Sequence, residues 1–270
     1  QKEEVIKQYT ESGNLQKRIN IHVYSTSKTN WYQWIFEGLQ LKKGMKILEV
    51  GCGNGMLWSM IHAQLPDDMK IYLTDNSERM LQAARKKIEK DAAFYKKKNI
   101  EFVYLQKDAE RFGVIEGSFD RIIANHMLYH ISNDSRKELL ENCKDMLRAG
   151  GMFYASTVGQ THLKELYTLA KGFDEQIDLP AWMTKNFELE NGMEQLQKVF
   201  AKVTVSEQQN DLLVPSAQAI YDYIDSWPGN AKEKIESRKR EWMNYLKEKV
   251  SEDNPYFIHK SAGAFKAFKE

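Results

Sequence analysis

Apolar residues fall in short unbroken runs, separated by polar turns and by longer stretches with helical spacing. Ile47, Leu48 and Val50 form the first run, which suits a strand buried on both faces. Gly51-Cys52-Gly53-Asn54-Gly55 then turns the chain, and Met56, Leu57, Trp58, Met60 and Ile61 follow at helical spacing. The alternation repeats. Residues 70–74 predict a second strand. Ser77 and Glu78 open a helix carrying Met80, Leu81, Ala83, Ala84 and Ile88, with a cap and an acid in its first turn. Residues 101–105 and 119–124 predict two more strands. Ser135 with Glu138 predicts a capping box for a helix that buries Leu139, Leu140, Cys143, Met146 and Leu147. Gly150 and Gly151 end that helix, and residues 152–157 predict a fifth strand.

Strand, turn and helix in repetition predict an α/β fold with a parallel sheet. Flanking pieces differ. Asn30 with Gln33 starts a helix bearing Trp31, Trp34, Ile35 and Leu39, after a polar segment that holds His22 and Tyr24. Residues 159–185 and 215–253 are aromatic-rich and helical, with a sixth strand at 202–205 between them. Residues 264–268 alternate in part and predict a last strand, so the final hairpin is expected to be split by a helical insertion.

The glycine loop fits three chemistries unequally. A phosphate loop needs Lys and Ser/Thr after its last glycine, and Met56 and Leu57 stand there. A dinucleotide fingerprint needs a small residue where Met56 is. An ordinary glycine-rich turn remains. Glu49 adds to the picture, because a carboxylate at a buried strand end needs partners. Asp75 closes the second strand, about 20 residues past the loop, where a carboxylate can accept bonds from vicinal ribose hydroxyls. Taken alone it is a helix-capping acid. Asp108-Ala109 follows the third strand, and by itself such a dipeptide is a surface turn.

Four segments in this order resemble the class I S-adenosylmethionine-dependent methyltransferases: Glu49-Val50-Gly51-Cys52-Gly53-Asn54-Gly55, Asp75, Asp108-Ala109 and Gly117-Ser118-Phe119-Asp120. The resemblance covers residues 45–158, and its small-molecule branch (methyltransferase type 11-like) is the one implied. It implies a Rossmann-like seven-stranded mixed sheet in the order 3-2-1-4-5-7-6, with a helical N-terminal cap at 1–45. It also implies a cofactor-binding core at 46–158 and helical lid insertions at 159–190 and 210–255, all in one domain of residues 1–270. It implies S-adenosyl-L-methionine as cofactor, with S-adenosyl-L-homocysteine as product. The residues it assigns to the cofactor are Glu49, Gly51, Cys52, Gly53, Asp75, Asn76, Met80, Asp108, Ala109 and Asn125, with Tyr24 contributed by the N-terminal segment.

The implied reaction is in-line transfer of a methyl group to a small-molecule acceptor. Orientation and exclusion of water supply most of the catalysis in such a transfer. A base is required where the acceptor is a hydroxyl or ammonium. His126 and His130, which follow the fourth strand, are the candidates. A protein or RNA methyltransferase and a non-catalytic cofactor-binding protein are the alternatives. Asn125-His126-Met127-Leu128 lacks the Pro-Pro-aromatic motif of the enzymes that methylate base amino groups.

Composition narrows the partners. Thirty-nine basic and 38 acidic side chains give a net charge of +1 in 270 residues, so no overall charge favours DNA. The two cysteines, Cys52 and Cys143, have neither disulfide nor metal spacing. With no signal-peptide pattern and no bilayer-length apolar run, the expected setting is a reduced cytoplasm without membrane partners. The sequence does not specify an oligomeric state.

Overall fold

The computed structural model describes residues 17–270. These divide into two compact units. One holds residues 29–159, 186–208 and 262–270; the other holds 160–185 and 209–261 together with the described residues up to Lys28.

The first unit is built on a seven-stranded sheet. Its strands in chain order are β1 (Lys46–Val50), β2 (Lys70–Asp75), β3 (Glu101–Gln106), β4 (Phe119–Asn125), β5 (Leu147–Val158) and β6 (Lys202–Glu207). The last strand of the chain, Ala262–Phe268, completes it and is numbered β9 after two short strands of the other unit, β7 (Leu212–Val214) and β8 (Tyr256–Ile258). The order is β3-β2-β1-β4-β5-β9-β6, with β9 antiparallel to both β5 and β6. It is the order expected from the sequence. The split hairpin is present too, since β6 and β9 pair from Lys202↔Phe268 to Glu207↔Gly263 although residues 208–261 intervene.

Successive strand residues point to opposite faces, and here they enter two cores. Leu48, Val50, Ile122, Ala124 and Phe153 join one cluster. Ile47, Ile71, Leu73, Ile123 and Tyr154 join the other. Helix α1 (Trp31–Leu39) buries Ile35 and Leu39, and the Asn30 side chain caps it by accepting from Gln33 N. The helix Met56–Ile61 follows the glycine loop, and Glu78–Ile88 follows β2 with Ser77 as its cap.

Two local expectations are corrected. The helix Asn133–Met146 is capped by Ser132, whose hydroxyl accepts from Ser135 N at 3.3 Å. The sequence Ser-Asn-Asp-Ser offers two capping serines, and the earlier one wins because it also engages Glu110 through Ser132 Oγ to Oε2 at 3.0 Å. That helix ends at Met146 and β5 starts at once, at Leu147, ahead of the expected start at 152. Leu147 pairs with Phe119, with an irregular register before Arg121↔Met152.

The second unit has its own core, formed by Leu166, Leu169, Ile220, Ile224, Trp242 and Leu246 among others. Its helices are Lys164–Phe173, Ala217–Asp225, Ala231–Glu236 and Lys239–Lys249. β7 and β8 pair antiparallel. Neither strand was expected from the sequence. The buried Asp225 carboxylate receives Lys17 Nζ at 2.5 Å.

Candidate functional site

The parallel strands β1, β2 and β4 end side by side, and Glu49, Asp75 and Asn125 stand at or next to their carboxyl ends. The glycine loop leaves β1 with Gly51, Gly53 and Gly55 all at positive φ, between 54° and 71°. Two of these glycines are required by packing. A Cβ on Gly51 would lie 3.1 Å from Met127 Cβ, and one on Gly55 would lie 2.9 Å from Ala84 Cβ. A Cβ on Gly53 would meet nothing within 4 Å, so the side of the loop that a side chain would occupy is open. Such a stretch lets a ligand approach the main chain closely.

The loop is tied to the end of β2. Cys52 N donates to Thr74 O at 2.8 Å. Gly53 N donates to Asp75 Oδ2 at 2.9 Å, and Ser77 N donates to Asp75 Oδ1 at 2.9 Å. Asp75 therefore orients both the glycine loop and the turn that opens the next helix. Its carboxyl is raised above the ordinary range by burial, against the pull of these backbone bonds.

Glu49 lies deeper, 2% exposed. Trp58 Nε1 donates to its Oε2 at 2.6 Å, and Asn125 Nδ2 donates to its Oε1 at 3.3 Å. The Asn125 amide is held by Ser156 Oγ, which donates to Oδ1 at 3.1 Å. All these partners are neutral. Burial pushes the Glu49 carboxyl up to about 7; the two hydrogen bonds oppose the shift and the nearby Asp75 charge adds to it. A carboxylate buried without a cation is costly, and a cationic ligand would relieve that cost.

Other sequence candidates fall as follows. Gln106 Nε2 donates to Asn76 O at 3.0 Å, and Lys107 N donates to Asp75 O at 3.0 Å, which holds the ends of β2 and β3 together. Asp108 accepts from Glu110 N at 3.0 Å and caps the short turn Ala109–Arg111, the local role its dipeptide suggests. Met80 is half-buried, with its N–H on Ser77 Oγ. The Cys52 thiol is pushed up by burial and is no nucleophile at neutral pH. His126 takes a left-handed φ of 49°, and its ring lies 5.2 Å from the Trp31 ring and 6.4 Å from that of Tyr129. The His130 ring meets Tyr129 at 4.5 Å. Tyr24 belongs to the second unit and packs against its core.

Sequence reasoning missed two contributors. Trp58 was read as an apolar helix position, although an indole among aliphatic neighbours carries a donor that needs an acceptor. Ser156, with Thr157 beside it, interrupts a buried run that is apolar from Met152 to Ala155, and that was its signal. In the second unit, His259 Nδ1 lies 2.8 Å from Asp211 Oδ1, and the same oxygen accepts from Lys260 N at 3.0 Å. The Lys260 ammonium is pushed down to about 8 by burial. Among the described residues, no group of His, Cys, Asp and Glu could hold a metal ion, and no helix is long and apolar enough to cross a membrane.

Residues 47–151 match the family described as a methyltransferase domain. A ubiquinone biosynthesis O-methyltransferase of Coxiella burnetii is 27% identical over 129 residues, 47% of this chain and 49% of that protein. A ubiquinone/menaquinone biosynthesis C-methyltransferase of the same organism is 26% identical over 121 residues, 45% of this chain and 46% of that protein. The chain thus spans about half the length of these relatives. Among solved structures, a phosphoethanolamine N-methyltransferase from Haemonchus contortus, in complex with S-adenosyl-L-methionine, superposes with a TM-score of 0.53 at 19% identity. That superposition covers 89% of this chain and 53% of that one, and the likeness is one of fold. The match over residues 47–151 is consistent with a class I methyltransferase domain, and the seven-stranded sheet has the fold of the solved methyltransferase structures it superposes on.

Proposed function

We propose that the first unit binds S-adenosyl-L-methionine at the carboxyl ends of β1, β2 and β4, and that the protein transfers the methyl group to a small-molecule acceptor. The observation that carries this reading is Glu49, a buried carboxylate whose side-chain donors Trp58 and Asn125 are neutral, beside a glycine loop that is open where a Cβ on Gly53 would stand. The family match and the small-molecule biosynthesis named for the relatives support it. When bound, the sulfonium supplies an already activated methyl group.

The chain's own residues have three tasks. Glu49 offers negative charge to the ligand's amino group. Gly51, Cys52 and Gly53 give backbone approach, and Asp75, Asn76, Met80, Asp108, Ala109 and Asn125 form the remaining cofactor-side set. His126 and His130 stand at the end of β4, where each could take a proton from a hydroxyl or ammonium acceptor. Tyr24 of the N-terminal segment belongs to the same cofactor-side set, and acceptor selection is assigned to residues of 159–190 and 210–255.

Calorimetry with S-adenosyl-L-homocysteine tests cofactor binding, and no binding would end this reading. Incubation with methyl-labelled cofactor and separated pools of metabolites, protein and RNA tests the acceptor. Label in the metabolite pool is expected. Label in protein or RNA alone would favour a macromolecular acceptor, and binding without transfer to any pool would favour a non-catalytic role.

A further inference from the structure

Trp58 is fully buried on the helix Met56–Ile61, directly after the glycine loop. Its ring meets Phe102 edge-on at 6.2 Å and belongs to the core on that face of the sheet. Packing alone does not require an acceptor for an indole in this molecule. Trp242 is equally buried, and its Nε1 has no hydrogen-bond partner. The Trp58 N–H, in contrast, points at Glu49 Oε2 at 2.6 Å, nine residues back along the chain. It is the shorter of the two side-chain bonds that Glu49 accepts, the other being 3.3 Å from Asn125.

We infer that Trp58 is a positioning residue of the cofactor site, whose indole N–H fixes the Glu49 carboxylate in place and in its anionic form so that it can meet a cationic amino group. The inference rests on the cofactor reading above. Its physical basis is the balance of charge around Glu49. The titratable groups that feel this carboxylate are Asp75, Cys52 and Tyr32, and each is negative when ionised. Cys52 and Tyr32 are both pushed up and neutral near pH 7, so burial and the Asp75 charge are what favour the protonated acid. The hydrogen bonds from Trp58 and Asn125 oppose them, Trp58 first. Removing the stronger donor leaves the acid protonated to higher pH.

The test is Trp58→Phe, which keeps most of the apolar volume and removes the donor. Affinity for S-adenosyl-L-homocysteine, measured by calorimetry from pH 6 to 8.5, is expected to rise through neutrality in the wild type. In the variant the midpoint should move up by about one pH unit, with binding roughly 5-fold weaker at pH 7, approaching 10-fold at pH 6, and the deficit narrowing above pH 8. A deficit equal at every pH, or no deficit, overturns the inference. A wild type that fails to bind overturns the cofactor reading instead.

If the variant does not fold, the wild-type indole N–H resonances answer the question without ligand. One of the six tryptophans should titrate near the Glu49 midpoint of about 7 and lose that titration in Glu49→Gln. The absence of any such titrating indole overturns the inference.

Discussion

Asp75 commits one carboxylate oxygen to Gly53 N and the other to Ser77 N, so it shapes the glycine loop as well as any ligand's surroundings. Asp75→Ala should therefore weaken S-adenosyl-L-homocysteine binding by about 1–3 kcal/mol, the usual scale for charge-assisted bonds. Calorimetry showing unchanged affinity would take Asp75 out of the site. Glu49 makes a different prediction, about pH. Its folded value of about 7 lies above the ordinary 4.5, so in that window the folded state binds a proton that the unfolded chain has released. Stability of the ligand-free protein is then highest below pH 4.5 as far as this group is concerned, and it falls as pH rises through 7. The loss should be on the order of 2 kcal/mol between pH 5 and pH 8. In Glu49→Gln the absolute stability also changes, because one acceptor oxygen becomes a donor facing Asn125. The pH slope is the decisive readout, and urea melts at pH 5 and pH 8 should show it flattened. An unchanged slope would mean that Glu49 is not the titrating group.

The elements differ in how legible they were, and the reason is physical. β1, β4 and most of β5 are buried on both faces, and β2 buries Ile71, Leu73 and Thr74, so each prints apolar residues that need no neighbour to be recognised. The glycine loop and the acids at the strand ends were legible because their conformations and charges demand particular residue types. β7 and β8 were not legible. Each has three residues, and Leu213 and Phe257, which pair across the ladder, are 44% and 50% exposed, so the apolar pattern points outward as well as inward. Trp58 was hidden for the opposite reason, since its apolar body fits the helix pattern and masks its polar atom. The cap of Asn133–Met146 was misplaced by one turn because local spacing cannot see Glu110, which fixes Ser132 from another part of the chain. Ser132→Ala removes the cap bond to Ser135 N and the bond to Glu110 together. It should cost about 1–2 kcal/mol in chemical denaturation. Ser135→Ala should cost less than 0.5 kcal/mol, on the order of an ordinary surface change. The reverse ranking would restore Ser135 as the cap.

At the scale of the molecule, chain order and spatial unit part company. The second unit is assembled from three separate stretches, yet the first unit closes without them at both junctions. Gln208 N donates to Ala262 O at 2.9 Å, which places the end of β6 beside the start of β9 and within reach of a short hairpin turn. Thr157 Oγ1 donates to Phe187 O at 2.6 Å, so the chain on either side of 160–185 is likewise close. Both cores of the first unit are made of residues from 29–159, 186–208 and 262–270 alone. A short loop costs little closure entropy and a unit with its own core can fold alone. A chain starting at Thr29, with 160–185 and 209–261 each replaced by a short Gly/Asn-containing turn, should therefore unfold in a single cooperative transition. Glu49, Trp58, Asp75 and Asn125 all remain, so it should bind S-adenosyl-L-homocysteine within about tenfold of the full chain, if the cofactor contacts lie in this unit. Methyl transfer to the acceptor pool should be lost, because acceptor selection is assigned to the removed residues. A core that folds but does not bind would place essential cofactor contacts in the second unit, with Tyr24 the first residue to restore. A core without a cooperative melt would show that the sheet depends on the removed stretches for its stability.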